Sequence, residues 1–330
     1  MTSPDRAILV TGALGQIGAE LVPELRRRYG SDRVVASDIR MGRQGDRHPE
    51  PPFEVVDCTS LRQIQEVVRS YEVGTIYHLA SLLSAVAEDT PRVAWEVNLG
   101  GLYKILEVAR QNRCAVFFPS SIGAFGPTTP RQATPQDTIE RPTTMYGVTK
   151  VAGELLCDYY HARFGLDTRG VRFPGLISHT APPGGGTTDY AVEIFFEAIR
   201  HGHYTCFLRS NTRLDMMYMP DAITGIIELM EAPAEHLIHR NAFNVTAMNF
   251  TPEELAAQIR RHLPNFTIDY AVDPVRQAIA DSWPESLDDS AAREEWQWSP
   301  QYELETMTRD MLEKLQAKLD TVRKEPESGE

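Results

Sequence analysis

The sequence has no long apolar run and few cysteines. No stretch approaches the roughly 20 apolar residues that a transmembrane helix needs, and the chain reaches a short strand-like run, Ala7–Val10, soon after its first residue. The four cysteines, Cys58, Cys114, Cys157 and Cys206, are isolated and form no C-x-x-C pair, so there is no sign of a disulfide framework or a zinc cluster. We expect buried free thiols, no metal and a cytoplasmic protein.

Positive charge is also scarce. The 330 residues carry 33 Lys and Arg against 46 Asp and Glu, a formal net charge of −13. Such a surface repels nucleic-acid phosphates and anionic membranes unless basic residues are concentrated locally, and no basic patch is visible. We therefore predict no nucleic-acid and no membrane partner. The composition, 42% hydrophobic and 24% charged, is that of a soluble protein with a large core.

In the first half, short apolar runs alternate with segments of helical periodicity. The predicted strands are Ala7–Val10, Arg33–Ser37, Thr75–Leu79, Ala115–Pro119 and Asp167–Arg172. The predicted helices between them are Gly18–Tyr29, Leu61–Tyr71 and Val97–Asn112. This alternation is typical of an α/β fold with a doubly wound parallel sheet.

The rhythm changes after Pro174. A proline- and glycine-rich stretch over 182–186 precedes a predicted helix from about Tyr190 to Arg200, so a smaller substrate lobe is expected to begin there. Phe243–Thr246 and the helix after Asp221 look like late elements of the first lobe. The predicted division is 1–175 with 212–247 as a nucleotide-binding domain, 176–211 with 248–317 as an interleaved substrate lobe, and 318–330 as a disordered tail.

A glycine-rich motif, Gly12-Ala13-Leu14-Gly15-Gln16-Ile17-Gly18, directly follows the first strand and opens a helix. Its spacing is G-x-x-G-x-x-G, which differs from the G-x-G-x-x-G dinucleotide fingerprint but relies on the same physics. Glycines let the backbone approach a pyrophosphate, while the helix N-terminus offers free N–H groups and a positive dipole. Because glycines also make ordinary turns, the motif alone is weak.

Asp38 strengthens this interpretation. It ends the second strand, 20 residues after Gly18, where an acidic side chain accepts hydrogen bonds from an adenosine ribose and repels a 2′-phosphate. The alternative is a simple turn residue. Arg40 nearby would favour the phosphate of NADP, but Asp38 favours NAD.

Tyr146 and Lys150 form a Y-x-x-x-K step on a predicted helix, so both side chains project from one face. A tyrosine has a pKa near 10 and acts as a base near neutrality only if cations stabilise its phenolate. Ser121 ends a strand 25 residues before Tyr146, where its hydroxyl is placed to bind the reacting oxygen of a substrate.

These features together resemble the extended short-chain dehydrogenase/reductase family, whose Ser, Tyr and Lys residues carry out hydride transfer without metal. The segments that resemble its L-threonine 3-dehydrogenase branch are Pro119–Gly126, Phe173–Ser178, Gly186–Ala191, Leu214–Ala222 and Ile279–Pro284. The resemblance covers nearly the whole chain.

The resemblance implies an NAD-binding Rossmann fold and oxidation of L-threonine to 2-amino-3-oxobutyrate, with Ser121, Tyr146 and Lys150 as catalytic residues. The implied cofactor contacts are Gly12, Gly15, Gln16, Ile17, Gly18, Asp38, Asp57, Leu79, Ala80, Ser81, Asn98, Tyr146, Lys150, Phe173 and Ile177. The implied substrate contacts are Ser84, Ser120, Ser121, Tyr146, Thr187, Thr188 and Trp283. A homodimer packed through helices near 97–112 and 148–164 is also implied.

Several alternatives remain open. Thr187, Thr188 and Asp189 have the composition of a helix N-cap before Tyr190, and Trp283 is equally explained by core packing. For the whole chain, the rivals are a nucleotide-sugar epimerase or dehydratase of the same family and a non-catalytic NAD-binding regulator. His78 has no His or Cys neighbour at metal spacing, so we predict a core residue.

Overall fold

The computed structural model describes residues 6–41, 50–180 and 186–324. The first half contains β1 (Ala7–Thr11), α1 (Gly18–Tyr29), β2 (Val34–Asp38), β3 (Phe53–Val55), α2 (Leu61–Ser70), β4 (Val73–His78), α3 (Ser84–Asp89), α4 (Pro91–Ala94), a π-helical turn (Trp95–Gly100), α5 (Gly101–Asn112) and β5 (Ala115–Ser121). The second half contains α6 (Met145–Phe164), β6 (Thr168–Phe173), β7 (Gly175–Ile177), α7 (Tyr190–His201), β8 (His203–Cys206), β9 (Leu214–Tyr218), α8 (Met219–Glu231), β10 (Phe243–Asn244), β11 (Met248–Phe250), α9 (Pro252–His262), β12 (Thr267–Tyr270), α10 (Pro274–Asp281), α11 (Ser290–Trp296) and α12 (Leu304–Lys324).

Seven parallel strands form the central sheet in the order β10-β6-β5-β4-β1-β2-β3. Its central strands are buried along their whole length; β4 and β6, for example, have no exposed residue. This is expected of a parallel sheet with both faces covered by helices. The predicted doubly wound α/β fold is confirmed, and every predicted strand agrees with the structure to within two residues.

The strand order reverses beside β1. The chain runs outward from β1 through β2 to β3, then crosses to β4 on the other side of β1. Ligands of open α/β sheets bind outside the carboxyl ends of the strands at such a switch point. Thr11 and His78, the last residues of β1 and β4, are paired there, and Ser121 ends the next strand.

A second apolar core lies under α7, α9 and α12, around Tyr190, Phe195, Phe250 and Leu315. Next to it, β7, β9 and β11 form a three-stranded sheet, and β8 pairs with β12. The small sheet therefore joins chain segments that the predicted domain division places in different lobes. By contrast, Phe243–Asn244 pairs with β6 in the central sheet, as expected for a late element of the first lobe.

The tail predicted to be disordered, 318–330, begins within a helix. Residues 318–324 continue helix α12, and the Lys318 Nζ donates a hydrogen bond to the Thr180 carbonyl 3.0 Å away. The helix is anchored further upstream, where Met307, Met311 and Leu315 are fully buried. Because few apolar residues follow Lys318, no helical pattern is visible there in the sequence. Residues 325–330 lie outside the described part of the chain.

All four cysteines are buried and free, as predicted. None of the helices within the described ranges combines the length and apolar character that crossing a bilayer requires. The predicted proline- and glycine-rich stretch falls largely on 181–185, which the structure does not describe.

Candidate active site

One pocket opens at the carboxyl edge of the central sheet, at the strand-order switch. It collects most of the predicted site from seven separate parts of the chain. Its lining consists of Gly12, Gly15, Gln16, Ile17, Gly18, Leu79, Ser81, Leu83, Ser84, Pro119, Ser120, Ser121, Tyr146, Lys150, Phe173, Pro174, Leu176, Gly186, Thr187, Thr188, Asp189 and Trp283.

The glycine loop lies against the segment that follows β4. Gly12 has a φ of +70°, and a Cβ built on it would lie 2.7 Å from the Ala80 nitrogen. A side chain at this position is thus excluded both by backbone conformation and by space. The loop leads into α1 at Gly18, where the first N–H groups of the helix have no partner within it. The loop therefore fits a pyrophosphate.

Asp38 lies beside this loop rather than in the pocket wall. Its buried carboxylate accepts the Leu14 N–H at 3.2 Å and the Arg40 N–H at 3.3 Å. The exposed Arg40 guanidinium lies 3.6 Å from it. Asp38 therefore ends β2 beside the glycine loop, a position that suits an acceptor for the adenosine ribose. The Arg40 guanidinium lies on the exposed side of the Asp38 carboxylate.

Tyr146 and Lys150 lie one turn apart at the start of α6, as the helical spacing predicted. The buried Lys150 Nζ donates to the Pro119 carbonyl at 2.7 Å and lies 5.3 Å from the Tyr146 ring centroid. Ser121 lies next to Tyr146, since a Cβ built on Gly123 would lie 3.1 Å from the Tyr146 ring and 3.5 Å from the Ser121 Oγ. The Ser121 Oγ accepts the Gly123 N–H at 3.1 Å, which fixes the side chain, and its influence lowers the pKa of Tyr146.

Burial favours the neutral forms of Tyr146 and Lys150. It raises the pKa of Tyr146 to about 12, and the hydrogen bond from Ser121 opposes that rise. It lowers the pKa of Lys150 to about 8, and the Glu154 carboxylate opposes that fall. A cation close to a phenol favours the phenolate, so a charged Lys150 promotes proton acceptance by Tyr146.

Close packing holds the start of α6 against the end of β5. The Thr144 side chain caps the helix by accepting the Gly147 N–H at 3.1 Å. A Cβ on Gly147 would lie 2.2 Å from the Gly123 carbonyl oxygen, and one on Gly123 would lie 3.1 Å from the Tyr146 ring. The two glycines therefore allow the contact that places Tyr146 beside Ser121.

The other end of the pocket is formed by the second lobe. Thr187 and Thr188 line it directly before α7, and Trp283 closes it from the segment after α10. Asp189 is the N-cap residue of α7, and its carboxylate accepts the Gly186 N–H at 2.8 Å. The Asp189 side chain makes no cap hydrogen bond to α7, and Asp189 lines the pocket together with both threonines.

Five predicted cofactor contacts lie outside the pocket lining. Asp38 was described above, and Ala80 lies behind Gly12. The Asp57 carboxylate accepts the Thr59 N–H at 2.8 Å. Asn98 is bound to both main-chain groups of Leu82, at 2.7 and 3.1 Å. Ile177 is fully buried in the second core. Asn98 therefore positions the pocket segment at Leu82, and the contacts of Asp57 and Ile177 with a cofactor stay predictions.

Sequence reasoning missed several lining residues, among them Leu83, Pro119, Pro174, Leu176 and Gly186. Each stands next to a predicted site residue and carries no chemical signal of its own. It also missed Glu154, which lies four residues after Lys150 and is described below; the continuing i, i+4 spacing was an available signal.

His78 is a core residue, as predicted. Its Nδ1 pairs with the Thr11 hydroxyl at 2.8 Å. Burial and the charge of Lys150 lower the pKa of His78 to about 3, which keeps the ring neutral. No group of three His, Cys, Asp or Glu side chains in residues 6–41, 50–180 and 186–324 is arranged to hold a metal ion.

A model of the NAD dependent epimerase/dehydratase family matches residues 8–246. The chain belongs to this family. It is similar to the L-threonine dehydrogenase of Clostridium difficile, with a TM-score of 0.92 and 57% identity over 95% of this chain and 98% of that one. It is also similar to the holo form of a GalE-like L-threonine dehydrogenase from Cupriavidus necator, with a TM-score of 0.91 and 50% identity over 94% and 99% of the two chains.

Among sequence relatives, an uncharacterized epimerase/dehydratase of Staphylococcus haemolyticus is 55% identical over 94% of this chain and 98% of its own. NAD is the cofactor of the family. The pocket fits NAD because Gly12 brings its main chain close to Ala80 without a side chain, and because Asp38 is held at the ribose end of the loop.

Proposed function

We propose that this protein is an L-threonine 3-dehydrogenase. In the reaction, the C3 hydroxyl of L-threonine loses its proton and C3 loses a hydride, which yields 2-amino-3-oxobutyrate. NAD, when bound, accepts the hydride and becomes NADH. The observation that carries the proposal is the arrangement of Ser121, Tyr146 and Lys150 in one pocket with Thr187, Thr188 and Trp283. The similarity to L-threonine dehydrogenases at 50–57% identity supports it.

In this proposal, Tyr146 accepts the hydroxyl proton of the substrate. The Ser121 hydroxyl, next to Tyr146 at the end of β5, donates its hydrogen bond to the substrate oxygen as charge develops on it. Lys150 supplies positive charge 5.3 Å from the Tyr146 ring centroid. Activity should therefore fall as the pH rises through the pKa of Lys150, about 8, because Lys150 then loses the charge that favours proton acceptance by Tyr146.

The second lobe supplies groups that suit an amino acid. The hydroxyls of Thr187 and Thr188 lie directly before the N-terminus of α7, where a carboxylate is favoured. Asp189 is the one carboxylate among the described lining residues and suits an ammonium group. Holding both ends of the substrate while Tyr146 binds the hydroxyl selects one configuration at C3. Trp283 limits access of water and of larger ligands.

The charge of the pocket argues against a nucleotide-sugar substrate. Lys150 is the single cationic side chain among the described lining residues, and it is needed beside Tyr146. A nucleotide diphosphate attached to a sugar requires cations or free N–H groups for its own phosphates. The glycine loop offers such groups only at the cofactor end.

The proposal is tested with a substrate panel after exhaustive chelation. NADH formation is followed with L-threonine, D-threonine and UDP-glucose, and epimerised UDP-sugar is measured separately. We expect NADH with L-threonine alone and no loss on chelation, because Tyr146 and Lys150 activate the hydroxyl. Turnover of UDP-glucose without turnover of threonine would identify an epimerase. Activity that chelation removes and zinc restores would contradict the mechanism.

A further inference from the structure

Three residues of α6, spaced four apart, contact three consecutive residues at the end of β5. Tyr146 and Ser121 lie next to each other beside Gly123, and the Lys150 Nζ donates to the Pro119 carbonyl. The Ser120 hydroxyl donates to the Glu154 carboxylate. Because i, i+4 and i+8 lie on one helical face, Glu154 continues the row that Tyr146 and Lys150 begin.

Glu154 is also held by an ion pair with Arg172, which lies on β6. The Arg172 Nη2 lies 2.9 Å from the Glu154 Oε2, and its Nε lies 3.2 Å from each carboxylate oxygen. Arg172 stands opposite Ser120 in the β5–β6 pairing. Its Nη1 also donates to the Gln136 carbonyl and the Asn244 side chain. Glu154 is 4% exposed, so its position is set on all sides.

The charge of Glu154 also acts on Lys150. Burial lowers the pKa of Lys150, and Glu154 raises it again. The other ionisable groups facing Lys150 contribute no compensating negative charge, since His78 is neutral with a pKa near 3 and the pKa of Tyr146 is about 12. Arg172 forms ion pairs with both Glu154 and Glu140.

We propose that Glu154 is a positioning residue of the active site, which sets the end of β5 through Ser120 and keeps Lys150 cationic. This proposal rests on the role proposed for Lys150. It gives the buried Glu154–Arg172 ion pair a functional role in addition to the structural role of joining α6 to β6. A buried ion pair is weak evidence for stability alone, because desolvation offsets much of its attraction.

The titration of Lys150 tests the proposal without any substrate. The chain has five lysines, Lys104, Lys150, Lys314, Lys318 and Lys324, so selective lysine labelling gives a simple NMR spectrum. The pKa of Lys150 is measured on the full chain, with and without NAD. This readout is independent of threonine oxidation, so its result stands whether or not threonine is the substrate.

Glu154→Gln keeps the side-chain shape but removes the charge. We expect the pKa of Lys150 to fall from about 8 to about 7, which lowers the charged fraction at pH 7.5 about threefold. The alkaline limb of the kcat profile should move to lower pH in parallel, and Glu154→Asp should restore it. Asp158→Asn is the matched control, because Asp158 lies on the same helix four residues after Glu154 and accepts from the Asn241 side chain at 2.8 Å instead of bonding to β5.

A folded Glu154→Gln protein with an unchanged Lys150 titration would overturn the proposal, as would an equal shift in Asp158→Asn. If Glu154→Gln does not fold, Ser120→Ala decides instead, since it breaks the link to β5 and leaves the Arg172 ion pair intact. We then expect kcat to fall at least about fivefold with the KM for NAD unchanged within roughly twofold. An unchanged kcat in Ser120→Ala would refute the positioning role.

Discussion

Tyr146 is acted on by two opposing influences. Burial raises its pKa to about 12, whereas the Ser121 hydrogen bond and the nearby Lys150 charge favour the phenolate. A buried phenol with these two neighbours holds its proton at rest and releases it when positive charge is added. The same low-dielectric surroundings make each nearby charge more effective than it would be in water.

Tyr146→Phe removes the proton acceptor and keeps the ring. We expect turnover to fall by at least roughly 10²-fold, the lower end of what general base catalysis contributes, with NAD affinity retained. Steady-state kinetics and calorimetric NAD binding measure the two effects. Tyr159→Phe, an exposed tyrosine on the same helix, is the control. Near-normal turnover of Tyr146→Phe would remove Tyr146 from the mechanism.

Asp38→Gly removes the acidic group at the end of β2. We expect the KM for NAD to rise roughly tenfold, since a hydrogen bond to a charged group contributes about 1.5–3 kcal/mol, and discrimination against NADP to weaken because a repulsive charge is lost. Arg40, 3.6 Å from Asp38, is then free to bind the 2′-phosphate. Kinetics with both nucleotides, using Asp32→Gly as control, measure the change. An unchanged preference would make Asp38 a turn residue.

Residues with chemical function were easier to predict than residues that support them. The placement of Ser121, Tyr146 and Lys150 in one pocket was predictable because helical spacing and strand ends dictate it. The hydrogen bonds of Asn98 to Leu82 were not, since only the folded chain shows which main-chain groups a side-chain amide meets. Glu154 was missed because its partners Ser120 and Arg172 come from two different strands.

At the scale of elements, the start of α6 depends on the absence of two side chains. Gly123 and Gly147 let the β5 end and the helix approach so closely that Ser121 reaches Tyr146. Alanine normally stabilises a helix interior relative to glycine by about 1 kcal/mol. Here the space is already occupied by the Gly123 carbonyl, 2.2 Å from the position of a Gly147 Cβ.

Gly147→Ala should therefore destabilise the protein instead of stabilising it. We expect a loss of about 1–3 kcal/mol, the usual cost of overpacking, together with a lower kcat as Tyr146 is displaced from Ser121. Denaturant unfolding and kinetics measure both. Gly100→Ala is the control, because its Cβ would meet nothing nearer than 3.7 Å. Increased stability of Gly147→Ala would show that the start of α6 is loosely packed.

Element types were predictable, but some ends were not. Apolar periodicity located β1, α1 and α2 closely. It placed the start of the helix leading into α5 at Val97, whereas the chain is already helical from Pro91 through a π-helical turn. It did not predict α12, and it assigned the segment from Lys318 onward to a disordered tail because that segment has few large apolar residues.

At the scale of the whole molecule, the site exists because one sheet edge gathers distant segments. Thr11, His78 and Ser121 end neighbouring strands, and Thr187 and Trp283 arrive from the second lobe. The pairing of Phe243–Asn244 with β6 in the central sheet was predictable from the strand-like Phe243–Thr246. The three-stranded sheet of β7, β9 and β11 was not, because pairing between short strands far apart in sequence leaves no periodic signal.

We propose that the protein is a homodimer packed through α5 and α6. Both helices expose large apolar side chains, including Tyr103, Leu155 and Tyr159 at 51–63% exposure, and contiguous apolar surface of this kind marks interaction sites. Leu155→Glu should convert the dimer to a monomer, as measured by light scattering. In a symmetric interface the introduced carboxylate is present on both subunits. Val275→Glu, exposed on α10, should leave the dimer intact. A monomeric native protein would contradict this proposal.

The transfer of a labelled hydrogen tests the central claim most directly. The protein is incubated with NAD and L-threonine that carries deuterium at C3, and the reduced nucleotide is analysed by mass spectrometry. We predict reduced nucleotide one mass unit heavier than NADH, formed by the native protein and not by Tyr146→Phe. Reduced nucleotide without deuterium, or none with threonine while UDP-glucose is epimerised, would contradict the assignment.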